Sequence, residues 1–229
     1  MYARPLLDLL LPTACAGCGR WDTPLCEACG NLSSTYPRPH VLEEVGSPAV
    51  AALSLGKYDG PLRRIILTAK HDSGARLDTW LYHCGITLGA AAVDRLECAG
   101  AVGGEEVCVV PAPSKLRRRW QGMMVTPQVA CAVAQTLRAV GVPAQMREVL
   151  ALRVGQRTQS GRDAQTRRRG RHGAMFLRTP VRQRQAIVVD DVITTGATIR
   201  ECVRVLESTG VQVPLVLSLA VVKKPQFIG

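Results

Sequence analysis

The stretch AIVVDDVITTGATIR, residues Ala186 to Arg200, decides the fold. Ala186 to Val189 is a short apolar run rich in β-branched residues, the pattern of a strand buried on both faces of a parallel sheet. Asp190 and Asp191 follow as an acidic tip, then Val192 and Ile193, then the turn Thr194-Thr195-Gly196-Ala197-Thr198. From there the period becomes helical: Ile199, Cys202, Val203 and Leu206 share one face, and Gly210 stands where a helix would stop. A turn of this kind gathers backbone N–H groups at the positive end of a helix dipole, where an anion is favoured. Gly196 permits close backbone approach, and Thr194, Thr195 and Thr198 can add hydroxyl donors to the same phosphate. Asp190 and Asp191 accept hydrogen bonds only, which suits a diol or magnesium. Acceptors for a diol beside a phosphate cradle describe a ribose 5-phosphate.

Working outward, 229 residues suit one α/β domain with a small appendage. Hydrophobic residues make up 47% and aromatic ones 4%, so the core must be aliphatic. The formal charge is +11, and only five of the 29 basic residues are lysine. Arginine pairs with phosphate and carboxylate in a bidentate way, which leaves open nucleic acid, a phosphorylated small substrate, or plain solubility. No apolar run approaches the ~18 residues of a membrane helix. The opening LLDLLLP, broken by Asp8 and Pro12, is too short for a signal segment, so a cytoplasmic location without membrane contact is expected.

Cys15, Cys18, Cys26 and Cys29 form two CxxCG turns, a spacing that predicts a closed tetrahedral zinc site. The glycine after each second cysteine is expected to turn N–H groups towards the sulfurs. Two disulfides, or lipidation at Cys15, are the competing readings. Cys84, Cys98, Cys108, Cys131 and Cys202 lie among apolar residues as core fillers, without a histidine partner for thiol chemistry. Residues 1–35 are expected to form the zinc module, followed by a linker from Asn31 to Ser47.

Strands are then expected over Ala49–Tyr58, Val107–Val110, Ala144–Leu152 and Val213–Val222. Helices are expected over Gly60–His71 and Leu77–Leu96, and after Thr126-Pro127 with Val129, Val133, Leu137 and Val140 inward. Beyond Pro111-Ala112-Pro113, Lys115 and Arg117–Arg119 occupy a loop at the sheet's carboxyl end, where α/β proteins bind ligands. Between Arg153 and Arg184 stand ten arginines against one acid, Asp163, too polar for a core. A loop of that length is usually functional or disordered.

The Asp190–Thr198 stretch resembles the phosphoribosyl pyrophosphate (PRPP) signature of type I phosphoribosyltransferases, with each motif position occupied. YDGPLRRIILTAK, ending at Lys70, resembles the YxGxLRxxIxxxK segment of the ComF family (competence protein F-like proteins tied to DNA uptake). With the four cysteines and the Arg/Gln segment (Gln159 and Arg167 matching), the resemblance runs from Cys15 to about Lys223. It departs at Gln121-Gly122-Met123-Met124, where relatives read RGFN. The resemblance implies a type I phosphoribosyltransferase-like, Rossmann-like α/β domain over residues 48–229 that binds PRPP with magnesium. Asp190 and Asp191 would hold the ribose hydroxyls, the turn from Thr194 to Thr198 the 5-phosphate, and Lys115 would belong to the PRPP site. Lys70 is either a pyrophosphate contact or a solvated helix-end lysine. Arg157 and Arg162 are the loop cations expected at the leaving pyrophosphate, Arg162 being counted as catalytic with the two aspartates. Three functions follow: a transferase with an unread acceptor, a DNA-handling accessory protein, or a PRPP-binding module without turnover. Single-stranded DNA would be held electrostatically, since few aromatic rings are available for stacking.

Overall fold

The computed structural model describes residues 13–42, 50–98, 106–113, 124–153 and 173–222. Lys115, Arg117–Arg119, Arg157, Gln159, Arg162, Arg167 and the opening LLDLLLP lie outside them. The central sheet has six strands in the order β1 (Arg38–Leu42), β2 (Val50–Lys57), β8 (Gln212–Val221), β7 (Gln185–Ile193), β3 (Val107–Pro111) and β4 (Ala144–Met146). The β1–β2 pair is antiparallel and every other pair is parallel. A separate antiparallel pair joins β5 (Leu150–Leu152) to β6 (Met175–Leu177). The helices are α1 (Glu27–Gly30), α2 (Gly60–His71), α3 (Asp78–Cys98), α4 (Val125–Ala139) and α5 (Ala197–Glu207).

The expected α/β class with a mainly parallel sheet is therefore present. Ala186, Ile187, Val188 and Val189 are fully buried at the centre of the sheet. Alternate residues feed two cores: Val107, Val109, Ile187 and Val189 meet α2, α3 and α4, while Cys108, Val110, Ala186 and Val188 meet α5. After β3 the chain returns through α4 to β4, and after β7 through α5 to β8 on the other side. Right-handed crossovers in opposite directions put α4 and α5 on opposite faces. The carboxyl ends of β3 and β7 are thus the switch point, the customary ligand crevice of a doubly wound sheet.

Helix α2 matches its expected bounds because Asp59-Gly60-Pro61 opens it and Leu62, Ile65 and Ile66 bury its stripe. Helices α3 and α4 approach closely at glycines: a Cβ on Gly85 would collide with Ala132, and one on Gly89 would lie 2.8 Å from Thr136 Cβ.

Several expectations are corrected. The Ala144–Leu152 strand is two strands in different sheets, because Arg147 pairs with Val109 and the chain then leaves the main sheet. Val140 lies beyond the end of α4 and is exposed. Cys131 is also exposed, being two residues, about 200° of helix, from the buried Val129 and Val133. The linker contains β1, an edge strand whose side chains remain largely exposed.

Candidate metal centre and acidic turn

The cysteine cluster is built on a tight knuckle. Ala14 bridges Trp21, and the Cys15 N–H donates to the Arg20 carbonyl at 2.7 Å. All four Sγ atoms lie within 4.8 Å of one another, and Cys18 and Cys26 are 3.6 Å apart. A tetrahedral site with metal–sulfur bonds of ~2.3 Å has edges of about 3.8 Å, so this spacing fits zinc. The four are free thiols, and Cys15, Cys26 and Cys29 are buried. Burial pushes the Cys15 thiol up, but N–H groups of Cys26, Cys18 and Gly17 face its sulfur and bring it down to about 6. Cys29 goes the other way, to about 12, through burial and hydrogen bonding with its cysteine neighbours. Metal binding at neutral pH would therefore displace the Cys29 proton.

The glycines after the motifs behave differently. Gly19 has φ +80°, where glycine is favoured, but Gly30 is helical at −60°. The glycine most constrained by space is one sequence reasoning passed over. A Cβ on Gly17 would stand 2.5 Å from Cys29 Sγ and 3.1 Å from Ile65 Cδ1. The small residue inside the first CxxC was its available signal. Cys15, Cys26 and Cys29 also join the apolar cluster of Ile65 and Ile66, which seats the metal knuckle against α2.

At the switch point, β7 runs on through the acidic pair to Ile193. Its β3 ladder stops at Val189, but pairing with β8 continues through Asp190↔Ser218 to Ile193↔Val221. The aspartates thus belong to the strand rather than to a loop beyond it. Asp190 is buried, and its Oδ1 accepts the Asp191 N–H at 2.8 Å. Asp191 forms an ion pair with Lys70 of α2, Nζ to Oδ2, at 2.8 Å. These side chains are 11% and 15% exposed respectively. Lys70 is thus not a freely solvated helix-end lysine: it is largely covered and is the partner of the second motif acid. Nothing in the sequence signals that pairing.

The turn follows at once. Thr194 and Thr195 are exposed, Gly196 is buried, and Ala197 and Thr198 are half-buried at the start of α5. Gly196 caps the helix at φ +72°, ψ 0°, in the left-handed region that a branched residue avoids. At the carboxyl end of β3, Pro111, Ala112, Met124 and Glu148 line a recess, which no residue of the turn enters. The structure therefore brings Lys70, Asp190, Asp191 and Thr194–Thr198 to one edge of the sheet, while Lys115 and Arg162 fall outside the described residues.

Glu201 is a second residue that sequence reasoning missed. It is buried on α5, accepts the Gly173 and Met175 N–H groups at 2.7 and 3.3 Å, and pairs with Arg204 through two 2.9 Å bonds. Burial pushes its carboxyl up, but these bonds prevail and hold it below the usual carboxylate range. With Arg153 N–H donating to Ala174 O, it fixes both points where the arginine-rich stretch leaves the described structure.

Among the described residues, no helix is long and apolar enough to cross a membrane. No protein-family model matches the chain, and no curated protein matches it.

Proposed function

We propose that the chain binds PRPP at the Asp190–Thr198 turn, in a type I phosphoribosyltransferase-like domain, and transfers the phosphoribosyl group to an acceptor. The observation that carries this reading is Gly196 in a left-handed conformation at the N-terminus of α5, directly after an acidic strand end at the sheet's switch point. Backbone N–H groups of the turn and the Thr194, Thr195 and Thr198 hydroxyls would hold the 5-phosphate. Asp191 and Asp190 would accept hydrogen bonds from the ribose hydroxyls. Arg162 and Lys115, from the two arginine-bearing stretches, would stabilise charge on the departing pyrophosphate. Magnesium, bound with the pyrophosphate, would offset its negative charge. Zinc on Cys15, Cys18, Cys26 and Cys29 has a structural role, since four thiolates leave no open coordination position. In a ComF-like protein this activity would accompany DNA uptake.

Titration calorimetry with PRPP and magnesium tests the reading. Binding is expected, with ribose 5-phosphate weaker because it lacks the pyrophosphate. Slow release of pyrophosphate marks a transferase, and binding without release marks a module that only senses PRPP. Absence of heat from both ligands contradicts the proposal.

A further inference from the structure

We infer that Cys18 is an oxidation site: a peroxide joins Cys18 and Cys26 in a disulfide, the knuckle loses its metal, and α2 is loosened with it. This requires zinc in the knuckle, as read above, and is independent of the phosphoribosyl ligand. The four sulfurs are not equally protected. Cys15, Cys26 and Cys29 are buried and pack with Ile65 and Ile66, whereas Cys18 is exposed. The local chain explains the difference. Gly17 has no room for a Cβ, which would stand 2.5 Å from Cys29 Sγ, so the inner side of the first CxxC turn is filled. Gly19 then turns the chain at φ +80°, its N–H donating to the Cys15 carbonyl at 2.9 Å, and Cys18 between the two glycines is left on the outer side. Cys131 is also exposed, but it lies on α4 and is no part of the cluster.

Oxidation of a cysteine follows its thiolate character and its access to solvent. Metal binding supplies the first, because ligand sulfurs must be deprotonated, and the fold supplies the second at Cys18 alone of the four. The Cys18 sulfur attacks one peroxide oxygen, the O–O bond breaks, and the hydroxide released takes a proton from solvent. A sulfenic acid remains on Cys18. Cys26 Sγ, 3.6 Å away, then attacks that sulfur, the S–O bond breaks, and a second hydroxide is protonated to water. Two thiolates, hydrogen peroxide and two protons thus give one disulfide and two waters. Cys15 and Cys29 remain, and two sulfurs cannot close a tetrahedral site. The Cys26 N–H also donates to Cys15 Sγ at 3.3 Å, so drawing Cys26 towards Cys18 disturbs a third sulfur. The change reaches α2 because Cys15, Cys26 and Cys29 share an apolar cluster with Ile65 and Ile66, one turn before Lys70.

The test treats the zinc-loaded full chain with hydrogen peroxide, reads released zinc with a chromogenic chelator and maps disulfides by mass spectrometry. About one zinc per chain should be released, with a Cys18–Cys26 disulfide and faster hydrogen exchange across α2, and reductant with zinc should reverse all three. Cys18→His keeps four ligands for zinc but removes the exposed sulfur, and should release zinc about tenfold more slowly under peroxide. Cys131→Ser should behave as the parent, and slower release from it would place the reaction on α4 and overturn the inference. Zinc retained under peroxide, a disulfide joining other cysteines, or faster exchange confined to residues 13–35 also overturns it. So does a Cys18→His protein that loses zinc to peroxide as fast as the parent. Protein purified without chelator that holds no zinc removes the metal reading and this inference together, and leaves the phosphoribosyl reading standing. Should Cys18→His fail to hold zinc, the parent's metal release and disulfide map decide the matter.

Discussion

Glu201 illustrates how much one buried carboxylate organises. Its partners are two backbone N–H groups near β6 and the Arg204 guanidinium, so it must be ionised to satisfy them. A carboxyl held below its ordinary value adds stability that is fully present above the unfolded value, about 4.3, and is lost as pH falls through the folded value. The melting temperature of the parent should therefore fall with acidification below about pH 4.5 more steeply than that of Glu201→Gln. At neutral pH the variant should be less stable by about 1–3 kcal/mol. Parallel pH profiles for the two proteins would refute this role. Local text carries the residues of the turn well, because Asp190-Asp191 and Thr194–Thr198 are contiguous and their chemistry follows from type and order. It cannot carry Lys70 against Asp191 or Glu201 against Gly173, since each contact is made by the fold between segments that are distant in the chain.

At the level of elements, local signals worked where boundary residues and burial agreed. Pro61 and the Leu62, Ile65, Ile66 stripe define α2, and the fully apolar run defines β7. They failed where pairing is made by backbone alone. β1 presents mostly exposed side chains, so the alternation that marks a strand is missing. The β4–β5 break also lacks punctuation, because Arg147 and Glu148 do not interrupt the chain as glycine or proline would. The α3–α4 contact offers the clearest stability test. An added Cβ at Gly85 would meet Ala132 and lie 2.7 Å from the Val129 carbonyl oxygen, which can move only with its helix. Gly85→Val should cost about 1–3 kcal/mol in denaturant unfolding. A variant as stable as the parent would mean that these helices are not closely packed.

Across the whole molecule, opposite crossovers make the switch point between β3 and β7, and the cysteine knuckle rests on the helix that sends Lys70 there. Elemental analysis of protein purified without chelator should find one zinc per chain, with affinity rising with pH because the Cys29 thiol must lose its proton. Removing the metal should quicken hydrogen exchange in α2 as well as in the knuckle, since Cys15, Cys26 and Cys29 share an apolar cluster with Ile65 and Ile66. Change confined to residues 13–35 would instead mark the knuckle as an independent appendage. Sequence alone describes that segment as an appendage because a CxxC pair carries no sign of what its buried side touches. The central claim, that the acidic turn receives a phosphoribosyl ligand, is tested most directly by calorimetry of Asp191→Ala with magnesium and PRPP. A folded protein whose PRPP affinity falls by about tenfold or more is expected, because a ligand-facing acceptor has been removed and Lys70 has lost its partner. Affinity equal to that of the parent would contradict it.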